Sequence, residues 1–531
     1  MKHANKTLLT LALSAALFGC GGSDSGNSGQ DGPQTPETYA CNVSQSEQSN
    51  KLRIYQVMVE SFVSGDPNIG HGTGYGTSHH NGDLQGIIDS LDYIKETGAN
   101  AIWLTPIFHS IPVDGQDHWA DRLDATGYFA SDYFSIDPRF GDMDTAKALV
   151  EKAHAKGLYV FFDGVFGHHK DNVVPSPSGL TPSGSSNPVS YPESLAFYKE
   201  VATYWIEELK IDGWRLDQAY QVPTEAWTEI RKAVDEASQS VTYTNNLGET
   251  VNPLGYMVAE IWNGEDYIAE TGYGTEEAPA LCSAFDFPMR YRIVETLAAN
   301  ESNVSGRDAS WLANGYETHA KYPDHAKPNL MLGNHDLVRF GDLLQRGDIA
   351  EPNEDEYWLR HKAAFAFQAA YTGPITLYYG EEIGDEVPDF DDQVTSDCAV
   401  QGLCDDHVAR SSAKIEGVTG DTLTANQADL RSYVSKLMEI RDANPALYAG
   451  ERLNLEAQGD IYIDLKTSGD NKVVYAANLG PNAQEITLPS EQLGTSQDLI
   501  DLMTNEVVEV QSGNYQFTLQ AFEARFLDVI E

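Results

Sequence analysis

Residues 158–169 decide the fold: Leu158-Tyr159-Val160-Phe161-Phe162-Asp163-Gly164-Val165-Phe166-Gly167-His168-His169. The run starts with five apolar or aromatic residues, which is too short for a helix and typical of a strand that is buried on both faces. An acid, a glycine and two histidines end it, so polar chemistry begins where the predicted strand stops. An amphipathic stretch, residues 144–156, comes just before it and predicts a helix.

The same pattern repeats in both directions from about Leu52 to Tyr379. Further strands are predicted at residues 54–59, 101–104, 210–214, 256–259, 330–332 and 375–378, and further helices at residues 84–97 and 195–209. Strands that alternate with helices indicate a parallel sheet with helical crossovers. Eight such units would form a (β/α)8 TIM barrel, for which the length is sufficient, although periodicity alone leaves an open, doubly wound sheet as the alternative.

The pattern changes after Pro445. Short strands separated by Gly, Asn and Pro turns are predicted at residues 460–466, 472–478, 483–488 and 515–521. We therefore expect an α/β chain with a barrel over residues 51–445 and a C-terminal antiparallel β-sandwich over residues 446–531. A Pro/Ser/Gly-rich segment, about residues 169–192, predicts a short inserted region after the third barrel strand.

Polar residues follow four of the predicted strands. They are residues 163–169, Arg215 to Asp217, Glu260 to Trp262, and Asn334 to Asp336. The carboxyl ends of barrel strands share one rim, and active sites are built there. An acid after a strand is by itself more often a helix cap, so the joint occurrence carries the argument.

Three carboxylates on one rim, Asp217, Glu260 and Asp336, predict glycoside hydrolysis. That reaction needs one carboxylate to attack or to activate water, and one acid to protonate the leaving oxygen. Arg215 and Asp217 lie two residues apart on an extended segment, so they point the same way and the guanidinium would keep Asp217 ionised. Apolar residues flank Glu260 and would raise its pKa, which suits the proton donor.

Together these segments resemble the α-amylase family of retaining enzymes that act on α-glucans. Its four signature regions appear in order at residues 163–168, residues 213–217, Glu260 and residues 334–336, with supporting matches at residues 101–106, 127–128, 132–133, 136–141 and 378–384. The resemblance extends from about Leu52 to the C-terminus. It implies hydrolysis of α-1,4-glucosidic bonds in starch, glycogen and maltooligosaccharides by double displacement, with no cofactor for the chemistry.

The resemblance also implies a role for individual residues. Asp217 matches the nucleophile, Glu260 the acid that becomes the base, and Asp336 the carboxylate that stabilises the transition state. Arg215 matches the arginine that orients the nucleophile, while His168, His335 and the Tyr128 platform match contacts to the sugar at the cleavage site. Trp262 and Arg339 complete the expected substrate contacts.

Two departures bear on calcium and specificity. Gly167 stands where the family commonly has an Asn that ligates a structural calcium, and Ala219-Tyr220 replaces a common Lys-His pair on the leaving-group side. Asp66, Asn68 and Asp83 resemble an early-loop calcium site of some relatives, with a polar surface loop as the alternative. Linkage choice resides in loops, so a cyclomaltodextrinase or neopullulanase-like enzyme, an α-1,6-acting enzyme or a transglycosylase is the nearest alternative.

The N-terminus predicts export. Residues 1–20 have a basic start, an apolar stretch too short to span a bilayer, and a lipobox-like end at Cys20. We expect lipidation of Cys20, a flexible tether over residues 21–50, and an anchor in the outer membrane, on the periplasmic or the cell-surface side. An ordinary cleaved signal peptide is the alternative.

Four further cysteines are expected to form disulfides in an oxidising compartment. Cys398 and Cys404 would close a short loop, which leaves Cys41 for Cys282 by elimination, although spacing cannot prove that pair.

Charge limits the partners. The formal net charge of −46 opposes binding to nucleic acid. The resemblance implies an α-glucan polysaccharide or oligosaccharide as the partner, and we expect the protein to be a monomer. A glucan-binding protein without catalysis is disfavoured because all three carboxylates are present.

Overall fold

Eight parallel strands form the central sheet of the computed structural model. We label them β1 (Arg53–Val57), β2 (Ala101–Leu104), β3 (Tyr159–Gly164), β4 (Gly213–Leu216), β5 (Tyr256–Ala259), β6 (Ser283–Ala284), β7 (Leu330–Met331) and β8 (Ile375–Tyr378). Their spatial order is β6-β5-β4-β3-β2-β1-β8-β7, and a parallel bridge between Phe285 and Asn329 joins the two outer strands. The sheet therefore closes into the predicted TIM barrel, and the open, doubly wound alternative is excluded.

The structure describes residues 48–72, 77–110, 126–170, 172–388, 390–395, 403–405 and 407–530, all within one compact unit, Ala40–Glu531. The helices are Leu84–Glu96, Met143–Ala155, Leu195–Leu209, Thr224–Ser240, Glu265–Ile268, Phe287–Leu297, Ala309–Thr318, Phe340–Arg346, Asp355–Ala370, Phe390–Gln393, Ala425–Ala443, Pro445–Ala449 and Ser490–Leu493, with tighter or wider turns at Ala219–Gln221, Ala269–Tyr273, His319–Lys321 and Glu381–Ile383. Within these ranges no helix is long and apolar enough to cross a membrane.

Side chains of the barrel strands alternate between two buried clusters. Tyr55, Ile102 and Phe162 belong to the large core that also contains the apolar faces of the surrounding helices. Their neighbours Ile54, Trp103 and Phe161 belong to a separate cluster inside the barrel. Burial on both sides explains why these strands read as continuous apolar runs.

Short strands pair outside the barrel. Phe108–Ser110 pairs with Ala130–Ile136, Tyr243–Thr244 with Thr250–Val251, and Val394–Thr395 with Leu403–Cys404. Between β3 and Leu195, the residues that the structure describes form no helix or strand, apart from a bridge between Gly184 and Val189.

The C-terminal part is a two-sheet β-sandwich. One antiparallel sheet has the order Glu451–Gln458, Ile461–Ser468, Asn471–Asn478, Ala524–Val529, Leu499–Asp501, Val507–Val508, and the other has the order Gln484–Pro489, Asn514–Leu519, Val510–Gln511. Ile463, Val474 and Leu527 from the first sheet meet Ile486 and Phe517 from the second in one buried cluster. This confirms the predicted sandwich.

Candidate active site

One open cavity of about 570 Å³ lies at the carboxyl ends of the barrel strands. Its lining comprises Thr126, Tyr128, Phe129, His168, Asp217, Gln218, Tyr220, Glu260, Trp262, Asn263, Tyr267, His335, Asp336, His407 and Arg410. The three carboxylates predicted from the sequence are thus brought together on one rim, as the barrel geometry requires.

Asp217 follows β4 directly and is held by Arg215. The Arg215 Nη1 atom donates to Asp217 Oδ1 at 2.9 Å and to both carboxylate oxygens of Asp163 at 2.9 and 3.0 Å. Arg215 is fully buried, so its charge acts on Asp217 in a region of low dielectric constant. Ion pairing of this kind favours the charged form of a carboxylate, which a nucleophile requires.

Glu260 follows β5, the strand adjacent to β4. Its Oε2 atom accepts a hydrogen bond from the backbone N–H of Gln218 at 2.8 Å and lies 3.8 Å from Arg215 Nη2. Burial, together with the negative charges of Asp217 and Asp336, raises the pKa of Glu260 to about 7 against the opposing effect of Arg215. The predicted direction of this shift is confirmed, and Glu260 can carry a proton near neutral pH.

Asp336 follows β7 and lines the same cavity as Asp217 and Glu260. Its Oδ1 atom accepts from Arg410 Nη2 at 2.7 Å, and Arg410 Nε also donates to the carbonyl oxygen of His335 at 2.9 Å. Burial by itself would raise the pKa of Asp336, but the interaction with His335, the positive charges of Arg410 and Arg215 and the hydrogen bond from Arg410 hold it below the usual value. Asp336 is therefore an anion across the neutral range.

A chain of hydrogen bonds orients His335 and Tyr128. Gln56 Nε2 lies 2.9 Å from His335 Nδ1 and can only donate, so His335 Nε2 carries the proton and donates to the Tyr128 hydroxyl at 2.7 Å. That hydroxyl donates to Asp163 Oδ2 at 2.8 Å. Burial lowers the pKa of His335 to about 3, so the ring is neutral. The two rings stack at 5.3 Å, and both line the cavity as predicted.

A steric contact explains why a glycine stands at position 167. A Cβ atom at this position would lie 2.4 Å from Gln221 Oε1, and that oxygen lies 2.9 Å from His168 Nδ1. The other ring nitrogen of His168 faces Asp217 Oδ2 at 3.7 Å. An Asn at position 167 would displace Gln221, the residue that orients His168 toward the nucleophile.

Trp262 lines the cavity, whereas Arg339 does not. Arg339 is fully buried, and its guanidinium donates to the carbonyl oxygens of Tyr379 and Ala409 at 2.7 and 3.1 Å. The prediction that Arg339 contacts substrate is therefore wrong: this side chain ties β8 to the segment that carries Arg410. The arginine in contact with the third carboxylate is Arg410, which no motif near Asp336 could reveal because it lies 74 residues further along the chain.

The arrangement of Asp66, Asn68 and Asp83 does not fit calcium. Asp83 Oδ1 caps a helix by accepting from Gly86 N at 2.7 Å, and Oδ2 accepts from Gly65 N and Asp66 N, both at 2.9 Å. Asp66 Oδ1 accepts from both nitrogens of Asn68. Asp66 Oδ1 and both Asp83 oxygens thus accept from N–H donors. Among the described residues, no group of three or more His, Cys, Asp or Glu side chains could hold a metal.

Cys282 and Cys404 are each disulfide-bonded. Cys20, Cys41 and Cys398 lie outside the described residues, so lipidation and the two pairings remain predictions. Cys404 Sγ lies 3.0 Å from His407 Nδ1, at the start of the segment that brings His407 and Arg410 to the cavity.

Known proteins are similar to this chain in sequence and in fold. A family model described as the alpha-amylase catalytic domain matches residues 56–176 and 192–415, more than half of the chain. A cyclomaltodextrinase of Geobacillus thermopakistaniensis is 28% identical over 88% of this chain and 76% of its own length, and neopullulanase 2 of Thermoactinomyces vulgaris is 27% identical over 91% and 78%.

Solved structures agree with these matches. A glutamate-to-glutamine variant of AmyP in complex with maltotriose is 67% identical, with a TM-score of 0.90 over 92% of this chain and 99% of that one. An Anoxybacillus alpha-amylase is 25% identical with a TM-score of 0.70 over 91% and 98%. By signature residues, barrel and matched family model, the chain belongs to the α-amylase family of glycoside hydrolases.

Proposed function

We propose that the protein hydrolyses α-1,4-glucosidic bonds of starch- or glycogen-type α-glucans and maltooligosaccharides, with retention of configuration. One observation carries the proposal: Asp217 and Glu260 both lie against the Arg215 guanidinium, at 2.9 and 3.8 Å, and burial raises the pKa of Glu260 to about 7. One ionised and one protonated carboxyl group on one rim are what a two-step displacement requires.

In the first step, Asp217 attacks the anomeric carbon while Glu260 donates its proton to the glycosidic oxygen. The bond to the leaving sugar breaks, and an ester forms between Asp217 and the remaining glycosyl unit. Arg215 holds the Asp217 carboxylate in position at the cavity through the 2.9 Å hydrogen bond.

In the second step, Glu260 is a carboxylate and removes a proton from water as the water oxygen attacks the anomeric carbon. The ester to Asp217 breaks, and both carboxyl groups return to their starting states. Asp336, held as an anion by Arg410, stabilises the positive charge that develops on the sugar in both transition states.

The substrate class is supported by the relatives. The 67% identical AmyP has been crystallised with maltose and, as a variant, with maltotriose. The cavity is open and contains aromatic rings and charged groups side by side, which suits sugars with apolar faces and hydroxyl edges.

A second specificity is favoured by the names of several relatives. Cyclomaltodextrinases, a neopullulanase and maltogenic amylases match 82–91% of the chain at 27–29% identity. The same carboxylates would then open cyclodextrins or cleave pullulan. An α-1,6-acting or transglycosylating enzyme would use them as well.

Product analysis on soluble starch, pullulan and β-cyclodextrin, with the Glu260→Gln variant as the inactive control, distinguishes these specificities. Release of short α-maltooligosaccharides from starch, with the other two substrates spared, is the expected result. Faster cleavage of β-cyclodextrin or pullulan would assign the second specificity. A wild-type protein that binds starch and cleaves none of the three would overturn the catalytic proposal.

We also propose that the chain is exported, lipidated at Cys20 and monomeric. The support for export and lipidation is the N-terminal sequence, with its basic start, apolar stretch and lipobox-like end. Metabolic labelling with a fatty acid tests the anchor: label in the wild type and none in Cys20→Ser is expected, and an unlabelled wild type would contradict it. Light scattering of the chain without residues 1–20 tests the oligomeric state: we expect the mass of one chain, and the mass of a dimer would contradict the proposal.

A further inference from the structure

His168 lies beside the nucleophile, at a distance too long for a hydrogen bond. The Oδ1 atom of Asp217 accepts from Arg215 Nη1 at 2.9 Å, whereas Oδ2 faces the Nε2 atom of His168 at 3.7 Å. Oδ2 is therefore the oxygen that is available for the attack on the anomeric carbon. The presence or absence of a proton on Nε2 decides whether the ring competes for the lone pairs of that oxygen.

The position of the proton on His168 is set on the other side of the ring. Its Nδ1 atom lies 2.9 Å from Oε1 of Gln221, an amide oxygen that can only accept a hydrogen bond. Nδ1 therefore carries the proton of the neutral ring, and Nε2 keeps a lone pair. The carbonyl oxygen of His168 accepts from the Tyr133 hydroxyl at 2.9 Å, which fixes the backbone of this residue.

Two acceptors hold the Gln221 amide in this orientation. Its Nε2 atom donates to Gln218 Oε1 at 3.0 Å and to Asn187 Oδ1 at 3.1 Å. Gln218 Oε1 also accepts from the Tyr220 hydroxyl at 2.9 Å. Because both N–H groups of the amide are used in this way, its oxygen faces His168, and a rotated amide would lose both hydrogen bonds.

Three segments of the chain meet at this amide. Gln218 and Gln221 belong to the turn after β4. Asn187 belongs to the inserted region, and His168 to the segment after β3. The same turn donates the backbone N–H of Gln218 to Glu260 Oε2 at 2.8 Å. The turn therefore contacts both the acid and the histidine beside the nucleophile.

We propose that Gln221 is a positioning residue that keeps the proton of His168 on Nδ1, so that Nε2 does not donate to the attacking oxygen of Asp217. This rests on the proposed function. A protonated Nε2 would donate to Oδ2, stabilise the carboxylate before the reaction and make it a weaker nucleophile. An unprotonated Nε2 instead accepts a hydrogen bond from a hydroxyl group of the sugar that lies against Asp217.

Two variants and one control separate this role from a structural one. Gln221→Leu removes the acceptor at Nδ1 and keeps a side chain of similar size, so the proton can move to Nε2. Asn187→Ala removes one of the two acceptors that hold the amide, at an exposed position where the fold tolerates the change. Gln345→Leu is the matched control, because Gln345 is buried and donates to Glu386 at 3.3 Å without lining the cavity.

Nitrogen-15 NMR of protein labelled at the histidine rings gives the position of the proton directly. The spectra are recorded at about pH 8.5, above the range in which imidazole ordinarily titrates. The signals of His168 are those that a His168→Asn variant lacks. We expect a protonated Nδ1 and an unprotonated Nε2 in the wild type, and a proton on Nε2 in Gln221→Leu. A wild-type ring with its proton on Nε2 would overturn the proposal, whether or not Gln221→Leu folds.

Kinetics on maltotriose give the second readout. Gln221→Leu should lower kcat about tenfold and keep KM within about twofold, because one added hydrogen bond weakens the nucleophile in the free and the bound enzyme alike. Asn187→Ala should lower kcat by a smaller factor, and Gln345→Leu should keep the wild-type values. A change in KM alone, or an unchanged kcat when the proton has moved, would overturn the role of Gln221 and leave the proposed function intact. A wild type inactive on maltotriose would overturn the proposed function and with it the role of Gln221 in the attack.

Discussion

Arg215 is the residue on which the chemistry of the site depends, because both reacting carboxylates lie against it. Asp217 accepts a direct hydrogen bond from the guanidinium, whereas Glu260 is held by a backbone N–H and lies further away. Burial raises the pKa of Glu260 to about 7 despite the opposing charge of Arg215. The sequence predicted the direction of this shift because apolar residues flank Glu260, and it predicted the contact with Asp217 because Arg215 lies two residues away.

The pH dependence of the reaction follows from Glu260. Its pKa is raised to about 7, and the first step needs its protonated form. Below pH 7 most of Glu260 is protonated, and well above pH 7 the protonated fraction falls tenfold for each pH unit. The value of kcat/KM should therefore decline on the alkaline side with a midpoint near pH 7. Initial rates on maltotriose from pH 5 to 10 measure this. A profile that stays flat to pH 9 would contradict the assignment.

Arg410 should control the acid side of the same profile. It helps to hold the pKa of Asp336 below the usual value, so Arg410→Ala should raise that pKa and move the acid limb of kcat/KM to higher pH, with a loss that grows about tenfold per pH unit below the new midpoint. Arg410→Lys should recover part of the shift.

Arg346→Ala is the control for this variant. Arg346 pairs with Asp405 on the same segment without touching Asp336, so its removal should leave the acid limb in place. An acid limb that moves equally in both variants would mean that the segment, rather than the charge of Arg410, controls Asp336.

Among the structural elements, barrel strands that form an apolar run were predictable, and the one without such a run was not. The predictions for β2, β5 and β8 match the observed bounds, since each is an apolar run buried on both faces. The prediction of residues 210–214 is displaced from β4 because Lys210 ends the preceding helix with a φ of 63°. β6 has two residues, Ser283 and Ala284, and carries no periodic signal.

Asp83 should act as a helix cap, independent of calcium. Asp83→Ala removes three hydrogen bonds to backbone N–H groups and should destabilise the protein by about 1–3 kcal/mol. The fall in melting temperature should be equal in calcium chloride and in EDTA. A wild type that EDTA destabilises to the level of Asp83→Ala would show instead that Asp83 binds a cation.

For the molecule as a whole, the C-terminal sandwich packs on the barrel through one face of its larger sheet. Tyr462 and Tyr475 contact Phe367 of the helix Asp355–Ala370, with ring centroids 5.6 and 6.2 Å apart. Lys466 is buried in this contact and donates to Thr372 Oγ1 and the carbonyl oxygens of Ala370 and Leu447. Composition could indicate the sandwich but not this interface, because a lysine on a strand usually faces solvent.

Burial lowers the pKa of Lys466 to about 7 from 10.5. The unfolded chain therefore binds more protons than the folded one between these values, and stability should rise with pH there. The Lys466→Met variant should lack this contribution to the pH dependence of stability, because methionine does not bind a proton. From pH 7 to 9 the free energy of unfolding of the wild type should rise relative to the variant by about 1–3 kcal/mol. A constant difference between the two proteins would mean that Lys466 keeps its charge and its ordinary pKa when folded.

The central claim is that Asp217 forms a covalent bond to the sugar and that Glu260 is needed to break it. Mass spectrometry of Glu260→Gln incubated with α-maltosyl fluoride tests it directly, because fluoride leaves without an acid whereas hydrolysis of the ester needs a base. We predict a mass increase of one maltosyl group that maps to Asp217 and is absent from the Asp217→Asn variant. An adduct on another residue, or turnover of the fluoride to a β-configured product with no adduct, would contradict the account.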